Sequence, residues 1–235
     1  MAAPHLIDGP NTDLLIVVDH ASRAVPPDIA LGLPAGTMDT HIAVDLGAAE
    51  TAERLAARTG APLLLAGASR LVVDLNRPLD QAVTEMSDGV AITGNHSLTE
   101  AARAGRTALH RAYHDQVAAL LDERPVRLLL SLHSFTPALD SGEVREWQCG
   151  VLYNEDRETA RAAIRWLEGQ GLRVGDNEPY SGVSHGYTVQ RHAEPRGLPY
   201  LFFEIRNDLI ADAEGQSRWA ALLRDLSAHL LGNVT

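Results

Sequence analysis

Side chains that can do chemistry stand at the ends of three apolar runs in this sequence. Asp19 and His20 follow "DLLIVV", His133 closes "VRLLLSLH", and Glu204 follows "YLFF". Short apolar runs of this kind are typical of buried strands, and α/β sheets bind ligands beyond the carboxyl ends of their strands. A segment that only filled a core would need no imidazole or carboxylate there. These positions predict a functional site at one edge of a sheet.

Two of these residues are candidate metal ligands. Neutral imidazole is the commonest protein ligand of zinc, which favours His20 and His133. A catalytic zinc takes three protein ligands and keeps one position open, so a third ligand is required. We choose Asp45 of "HIAVDLGA", with His41 and Asp19 as rivals. The alternative is that each strand-end histidine is a hydrogen-bonded structural residue.

Glu204 is the candidate general base. Because it follows an apolar run, its carboxylate would emerge from an apolar wall, and partial burial raises the pKa of a carboxyl group toward neutral pH. The alternative is a salt bridge to Arg206 or to another arginine.

The stretch "SRLVVDLNRP" has the apolar content of a further strand, with Arg70 at one end and Asp74, Asn76 and Arg77 at the other. A guanidinium group binds a carboxylate through two parallel hydrogen bonds, and an asparagine amide can add a donor. An ion pair between Asp74 and one arginine would leave the other arginine unexplained. The stretch predicts a site for an anionic substrate.

Two other patterns have competing interpretations. "HRAYH" places His110 and His114 four residues apart on one helical face, which makes them a candidate metal pair. The helix is otherwise amphipathic, so the pattern favours a surface contact, or a place for Tyr113 and His114 at the edge of the site. Cys149 lies in a strand-like run and is expected to be a buried, inert thiol.

The elements that must position these residues alternate along the chain. Apolar strand-like runs, among them "APLLLAG", "SRLVVDL" and "WQCGVLYN", are interspersed with amphipathic helical patterns, which indicates an α/β fold with a largely parallel sheet covered on both faces. Ser97 and Glu100 form a capping-box pattern at the start of one helix. We expect a single domain over residues 1–235, with three αβα layers around a mostly parallel, mixed sheet. Helices are predicted over residues 42–58, 97–123, 158–168 and 213–231.

Composition excludes several classes of protein. The chain has 235 residues and a net charge of −11, which argues against binding to nucleic acid or to an anionic membrane. All 20 basic residues are arginines, so chemistry that needs a lysine is excluded. With one cysteine, no signal-peptide pattern and no apolar run of membrane-span length, we expect a cytoplasmic protein.

The sequence resembles the N-formylglutamate amidohydrolase family, whose members share a zinc-exopeptidase-like (phosphorylase/hydrolase-like) fold. The resemblance depends on six segments that occur in family order and span most of the chain: "VVDHAS", "HIAVDLGA", "SRLVVDLNRP", "SLHSFTP", "NEPYSG" and "FFEIRNDL". "DLNR" is also similar to the carboxylate clamp of zinc carboxypeptidases and aspartoacylases. The resemblance implies one zinc ion per chain and a small substrate that carries a carboxylate.

The resemblance also implies roles for individual residues. His20 and His133 correspond to zinc ligands and Glu204 to the catalytic glutamate. Asn76 and Arg77 correspond to the clamp on the substrate carboxylate. Arg70 corresponds to the group that polarises the scissile carbonyl.

One departure from the wider group concerns the third ligand. That group has a glutamate three residues after its first histidine, where this chain has Arg23, so the resemblance does not identify the third ligand, and Asp45 stays a choice over His41 and Asp19. Further residues expected on the substrate side are Ser22, Tyr180, Ser181 and His192, although "NEPYSG" also has the composition of a simple turn.

The predicted function is a zinc-dependent, deformylase-like hydrolysis of the amide bond of an N-formyl or N-acyl amino acid. One alternative is a carboxylate-binding member of the same fold that lacks catalysis or takes another substrate, which the missing glutamate favours. Another is a metal-free serine hydrolase that uses Ser22 or Ser134, against which the absence of a G-x-S-x-G elbow argues.

Overall fold

The computed structural model describes residues 2–138, 142 and 144–233 of the chain. The strands of that part are His5–Ile7 (β1), Leu14–Val18 (β2), Leu63–Leu65 (β3), Met86–Ser87 (β4), Val90–Ala91 (β5), Leu128–Phe135 (β6), Cys149–Leu152 (β7), Val174–Asp176 (β8) and Tyr200–Arg206 (β9). The α-helices are Ala48–Thr59 (α1), Glu100–Glu123 (α2), Arg157–Gly169 (α3), Gly182–His185 (α4), Tyr187–His192 (α5) and Ala213–Asn233 (α6).

Seven of the described strands form one sheet in the order β1-β3-β2-β6-β9-β7-β8. The central strands β3, β2, β6 and β9 are parallel, whereas β1 and β7 pair antiparallel to their neighbours β3 and β9. Helices α1, α3 and α6 pack on one face, and α2 and α5 cover the other together with the connection between β3 and α2. This confirms the predicted α/β fold with a mixed, mostly parallel sheet.

The central strands are buried on both faces of the sheet. In β2, Leu14, Ile16 and Val18 pack toward α1, while Leu15 and Val17 pack toward the α2 layer. Full burial of such a side chain contributes roughly 1.5–3 kcal/mol, so the strands are held firmly in register. This rigid centre sets the positions of the residues that follow each strand.

The stretch 69–77 is a compact turn, and the strand predicted there is wrong. The carbonyl of Ser69 accepts a hydrogen bond from the Val72 amide at 2.9 Å, and the Ser69 hydroxyl donates to the Ala43 carbonyl at 2.8 Å. The apolar side chains of the stretch are nonetheless buried in the α2 layer. Apolar content alone did not separate a core-filling turn from a strand.

Two helix starts also differ from the prediction. Helix α1 begins at Ala48 and not at residue 42, because Gly47 adopts a left-handed conformation with φ 78° that interrupts the helix. The residues before it form turns that carry Asp45. Helix α2 is capped by the side chain of Thr99, whereas Ser97 has a positive φ of 51° and lies outside the helix.

Two further expectations concern apolar burial. Cys149 is buried at the start of β7, as predicted, and burial raises the pKa of its thiol well above the usual range.

Among the described helices, none combines the length and the apolar content needed to cross a bilayer.

Candidate active site

A cavity of about 240 Å³ opens where β2, β6 and β9 end. Eleven of the residues that line it were named from the sequence: His20, His41, Asp45, Arg70, Asp74, Asn76, Arg77, His133, Ser134, Tyr180 and Glu204. The other described lining residues are Ile42, Ser87, Asp88, Phe135, Thr136, His185 and Phe202. The strand-end residues of the sequence thus meet in one place.

Two imidazoles and one carboxylate converge inside the cavity. The Nδ1 atoms of His20 and His133 lie 3.3 and 2.9 Å from the same Oδ2 atom of Asp45. All three residues are buried, and their ligand atoms lie within 4.8 Å of one another. Although burial alone would raise it, the two imidazoles hold the pKa of Asp45 well below its usual range. The group has the ligand types and number of a catalytic zinc site.

The second nitrogen of each histidine faces another carboxylate. His20 Nε2 lies 2.8 Å from Asp74 Oδ1, and His133 Nε2 lies 3.3 Å from Asp19 Oδ2. The other oxygen of Asp19 accepts a hydrogen bond from the Tyr113 hydroxyl at 2.6 Å. Carboxylates in this position orient metal-binding imidazoles and fix their tautomer. They leave both Nδ1 atoms facing Asp45, which fits a metal site.

The two rival ligands, His41 and Asp19, lie outside the group formed by His20, Asp45 and His133. His41 Nε2 is 2.9 Å from Asp88 Oδ2 at the mouth of the cavity, and Asp19 lies behind His133. Arg23, which stands where the wider group has its glutamate, forms an exposed ion pair with Asp39. The described geometry therefore favours Asp45 over the alternatives.

Glu204 lies beside the candidate metal centre. It is paired in register with His133 on the neighbouring strand, and its Oε2 atom is buried without a hydrogen-bond partner among the described residues. Burial raises the pKa of Glu204 to about 7. Arg206, the expected partner in the structural alternative, instead bonds to Asp208 at 2.8 Å. An unpaired buried carboxyl group at a cavity wall is suited to proton transfer.

Asp74 connects several parts of the site. Besides His20, it accepts a hydrogen bond from Arg70 Nη2 at 2.8 Å, and Arg77 Nε lies 3.6 Å from the same oxygen. Although burial alone would raise it, the pKa of Asp74 is held well below its usual range by Arg70 and His20. The side chains of Arg70 and Arg77 remain 28% and 35% exposed, so both guanidinium groups border the open cavity.

Asn76 makes contacts that its sequence context did not predict. Its Nδ2 donates to the His185 carbonyl at 2.6 Å, and its Oδ1 accepts from the Thr188 amide at 3.0 Å. The side chain therefore joins the 74–77 segment to helices α4 and α5.

Three residues expected on the substrate side are not among the described residues that line the cavity. Ser22 donates to the Gly67 carbonyl, and Ser181 caps α4. His192 Nε2 lies 2.9 Å from Nδ1 of His114. Ser134 does line the cavity, but its hydroxyl donates to the Leu46 carbonyl at 2.9 Å, so the serine-hydrolase alternative gains no support.

The hairpin formed by β4 and β5 was not predicted from the sequence. The end of β4 and the turn after it place Ser87 and Asp88 in the cavity lining. Asp88 and Gly89 both have positive φ angles, 42° and 74°, as a tight hairpin turn requires. The dipeptide Asp-Gly is the sequence signal that would have predicted this turn.

Comparison with known proteins agrees with this fold. The sequence model of one protein family, described as N-formylglutamate amidohydrolase, matches residues 12–211. The fold is of the α/β class, and the family match makes the chain an amidohydrolase. The chain belongs to the N-formylglutamate amidohydrolase family, as the sequence motifs predicted.

Solved structures extend the comparison. A gene product of Agrobacterium tumefaciens is 35% identical with a TM-score of 0.92, over 100% of this chain and 96% of that one. An N-formylglutamate amidohydrolase from Ralstonia eutropha JMP134 is 19% identical with a TM-score of 0.73, over 100% and 98% of the two chains. A bacteriophage poly-gamma-glutamate hydrolase, at 13% identity and a TM-score of 0.50 over 98% and 91%, shares the general fold. Among curated proteins, no sequence matches the chain.

Proposed function

We propose that this protein is a zinc-dependent hydrolase that cleaves the amide bond of an N-formyl or N-acyl amino acid, with an N-formylglutamate-like compound as the substrate. The products are a small carboxylic acid and a free amino acid. The observation that carries the proposal is the convergence of two imidazoles and a carboxylate beside a buried, unpaired glutamate. Membership of the amidohydrolase family supports it.

The metal would be held by His20, Asp45 and His133, whose nitrogen and oxygen atoms are the usual ligands of zinc. When bound, zinc supplies a Lewis acid that lowers the pKa of water and polarises a carbonyl group. Asp74 and Asp19 keep the two imidazoles oriented from behind.

Glu204 would act as general base and then as general acid. Its carboxylate accepts a proton from the attacking water and returns that proton to the leaving nitrogen as the amide bond breaks. A pKa of about 7 lets the group accept and release a proton near neutral pH. Arg70, which pairs with Asp74, would stabilise the negative charge that grows on the carbonyl oxygen.

Arg77 would bind the α-carboxylate of the substrate. Its guanidinium group borders the cavity, and a paired hydrogen bond to a carboxylate fixes both position and orientation. The cavity of about 240 Å³ is smaller than the roughly 300–1,000 Å³ of sites for drug-sized ligands, which favours a small substrate.

The proposal is tested by removing and restoring the metal. We expect a strong chelator to abolish hydrolysis of N-formyl-L-glutamate, and added zinc to restore it while elemental analysis reports about one ion per chain. Full turnover by protein shown to be free of metal would contradict the proposal. Metal binding without turnover of any N-acyl amino acid would favour the non-catalytic alternative.

A further inference from the structure

The two histidines of "HRAYH" reach the clamp segment. His110 Nε2 lies 3.0 Å from the carbonyl oxygen of Arg77, and His114 Nε2 lies 2.9 Å from that of Leu75. Because a carbonyl oxygen only accepts, each imidazole must donate its Nε2 hydrogen. Helix α2 therefore holds the backbone on both sides of Asn76, and these histidines are not directed at a metal.

A third imidazole supports His114 from behind. With its Nε2 hydrogen donated, neutral His114 presents Nδ1 as an acceptor, and His192 Nε2 lies 2.9 Å from that atom. The two rings are nearly coplanar, with an interplanar angle of 20° and centroids 5.1 Å apart, as an edge-to-edge hydrogen bond requires. Burial lowers the pKa of His114 to about 3 and that of His192 to about 4, so both stay neutral near pH 7. The direction of each hydrogen bond in this chain is thus fixed.

The other side of the same segment is held by α4 and α5. The Asn76 amide side chain bonds to the backbone of His185 and Thr188, and the Asn76 backbone amide donates to Asp74 at 3.0 Å. Consecutive residues of the segment are fixed in this way. The guanidinium group of Arg77, by contrast, stays one-third exposed at the cavity, 3.6 Å from its acidic neighbour.

We propose that His110 and His114 are positioning residues that fix the backbone beneath Arg77, so that its guanidinium group meets the substrate carboxylate in one orientation. His192 acts through His114. The proposal rests on the proposed function, because it assigns these residues to the carboxylate end of the substrate. They take no part in the chemical step itself.

The test compares His110→Leu, which removes the donor, with His110→Gln, whose amide can still donate to the Arg77 carbonyl. Both are assayed on N-formyl-L-glutamate and on its analogue with an α-carboxamide. We expect His110→Leu to raise KM for the acid about tenfold, with kcat within about twofold and the carboxamide unaffected. His110→Gln should restore most of the affinity for the acid. His96 is not among the described residues that line the cavity, so His96→Leu should leave KM unchanged for both compounds.

A double-mutant cycle with Arg77→Ala tests whether the effect passes through the arginine. If it does, His110→Leu should cause no further rise of KM once Arg77 is absent. Equal losses on the acid and the carboxamide, no loss on either, or additive effects of the two substitutions would overturn the proposal. Should His110→Leu fail to fold, His114→Leu and His114→Gln are assayed in the same way.

A binding measurement distinguishes failure of this proposal from failure of the proposed function. If the unaltered protein hydrolyses neither compound, calorimetric titration with N-formyl-L-glutamate decides the positioning role alone. A dissociation constant about tenfold higher for His110→Leu supports the positioning role of His110. Equal affinity, or no binding by the unaltered protein, overturns it.

Discussion

At the scale of single residues, the site depends on side chains whose two polar atoms contact different partners. Each of His20 and His133 turns one nitrogen to Asp45 and the other to a second carboxylate. Asp74 in turn contacts His20, Arg70 and the backbone of its own segment. A change of one such residue therefore affects several contacts, and conservative substitutions give the clearest tests.

The role of Glu204 is tested by Glu204→Gln, which keeps the shape of the side chain but removes the proton acceptor. We expect kcat for N-formyl-L-glutamate to fall about 10²–10⁴-fold, the usual contribution of a positioned acid or base. Zinc content by elemental analysis should stay that of the unaltered protein. The exposed Glu168→Gln is the control, and a kcat that does not change would remove Glu204 from the role of base.

Substitutions of the two cavity arginines should have different effects on KM and kcat. We expect Arg77→Ala to raise KM for N-formyl-L-glutamate much more than for its α-carboxamide, because only the acid pairs with the guanidinium group. Arg70→Ala should instead lower kcat for both compounds, since both develop charge on the carbonyl oxygen. Steady-state kinetics on the two substrates measures the difference, and indistinguishable patterns for the two variants would refute the assignment.

At the scale of elements, close backbone contacts carry side chains to the cavity. The Glu178 carbonyl lies against Gly150 in β7 and Gly175 in β8, where a Cβ would approach it to 2.1 and 2.3 Å. The loop that contains Glu178 continues to Tyr180 in the cavity lining. Two glycines thus allow this loop to lie directly on the sheet.

Gly150→Ala should push this loop away from β7. Overpacking of this kind costs roughly 1–3 kcal/mol, and the loop shift should also raise KM through the displaced Tyr180. Denaturant unfolding and steady-state kinetics measure the two effects. Gly105→Ala in α2, where an added Cβ meets no atom within 4 Å, is the control and should be neutral or stabilising by roughly 0.5–1 kcal/mol. Unchanged stability and KM in Gly150→Ala would show that the contact does not constrain the loop.

At the scale of the whole molecule, a metal that binds only the folded chain must stabilise the fold. The candidate ligands come from positions 20, 45 and 133, so unfolding would separate them. At a zinc concentration about 100 times its dissociation constant, we expect roughly 2.7 kcal/mol of added stability and a rise of about 5–10 °C in Tm. His133→Ala should lose the rise, and a Tm indifferent to zinc and chelator in the unaltered protein would argue against the site.

Much of this architecture is present in the sequence itself. The buried strands β2, β6 and β9, the helices α2, α3 and α6 and the strand-end residues His20, His133 and Glu204 were predicted because local apolar patterns and strand ends are written in consecutive residues. The family motifs indicated the fold and the class of reaction for the same reason.

Tertiary structure decided which of these residues meet. Asp45 meets His133 across 88 positions of sequence, and His114 meets His192 across 78, distances at which periodicity carries no information. The 69–77 turn was misread as a strand because burial of its apolar side chains depends on the layer that α2 provides. Local sequence patterns determined the helices and strands, whereas long-range packing determined the contacts between them. The reason is that only the folded chain brings particular polar groups into the same buried space.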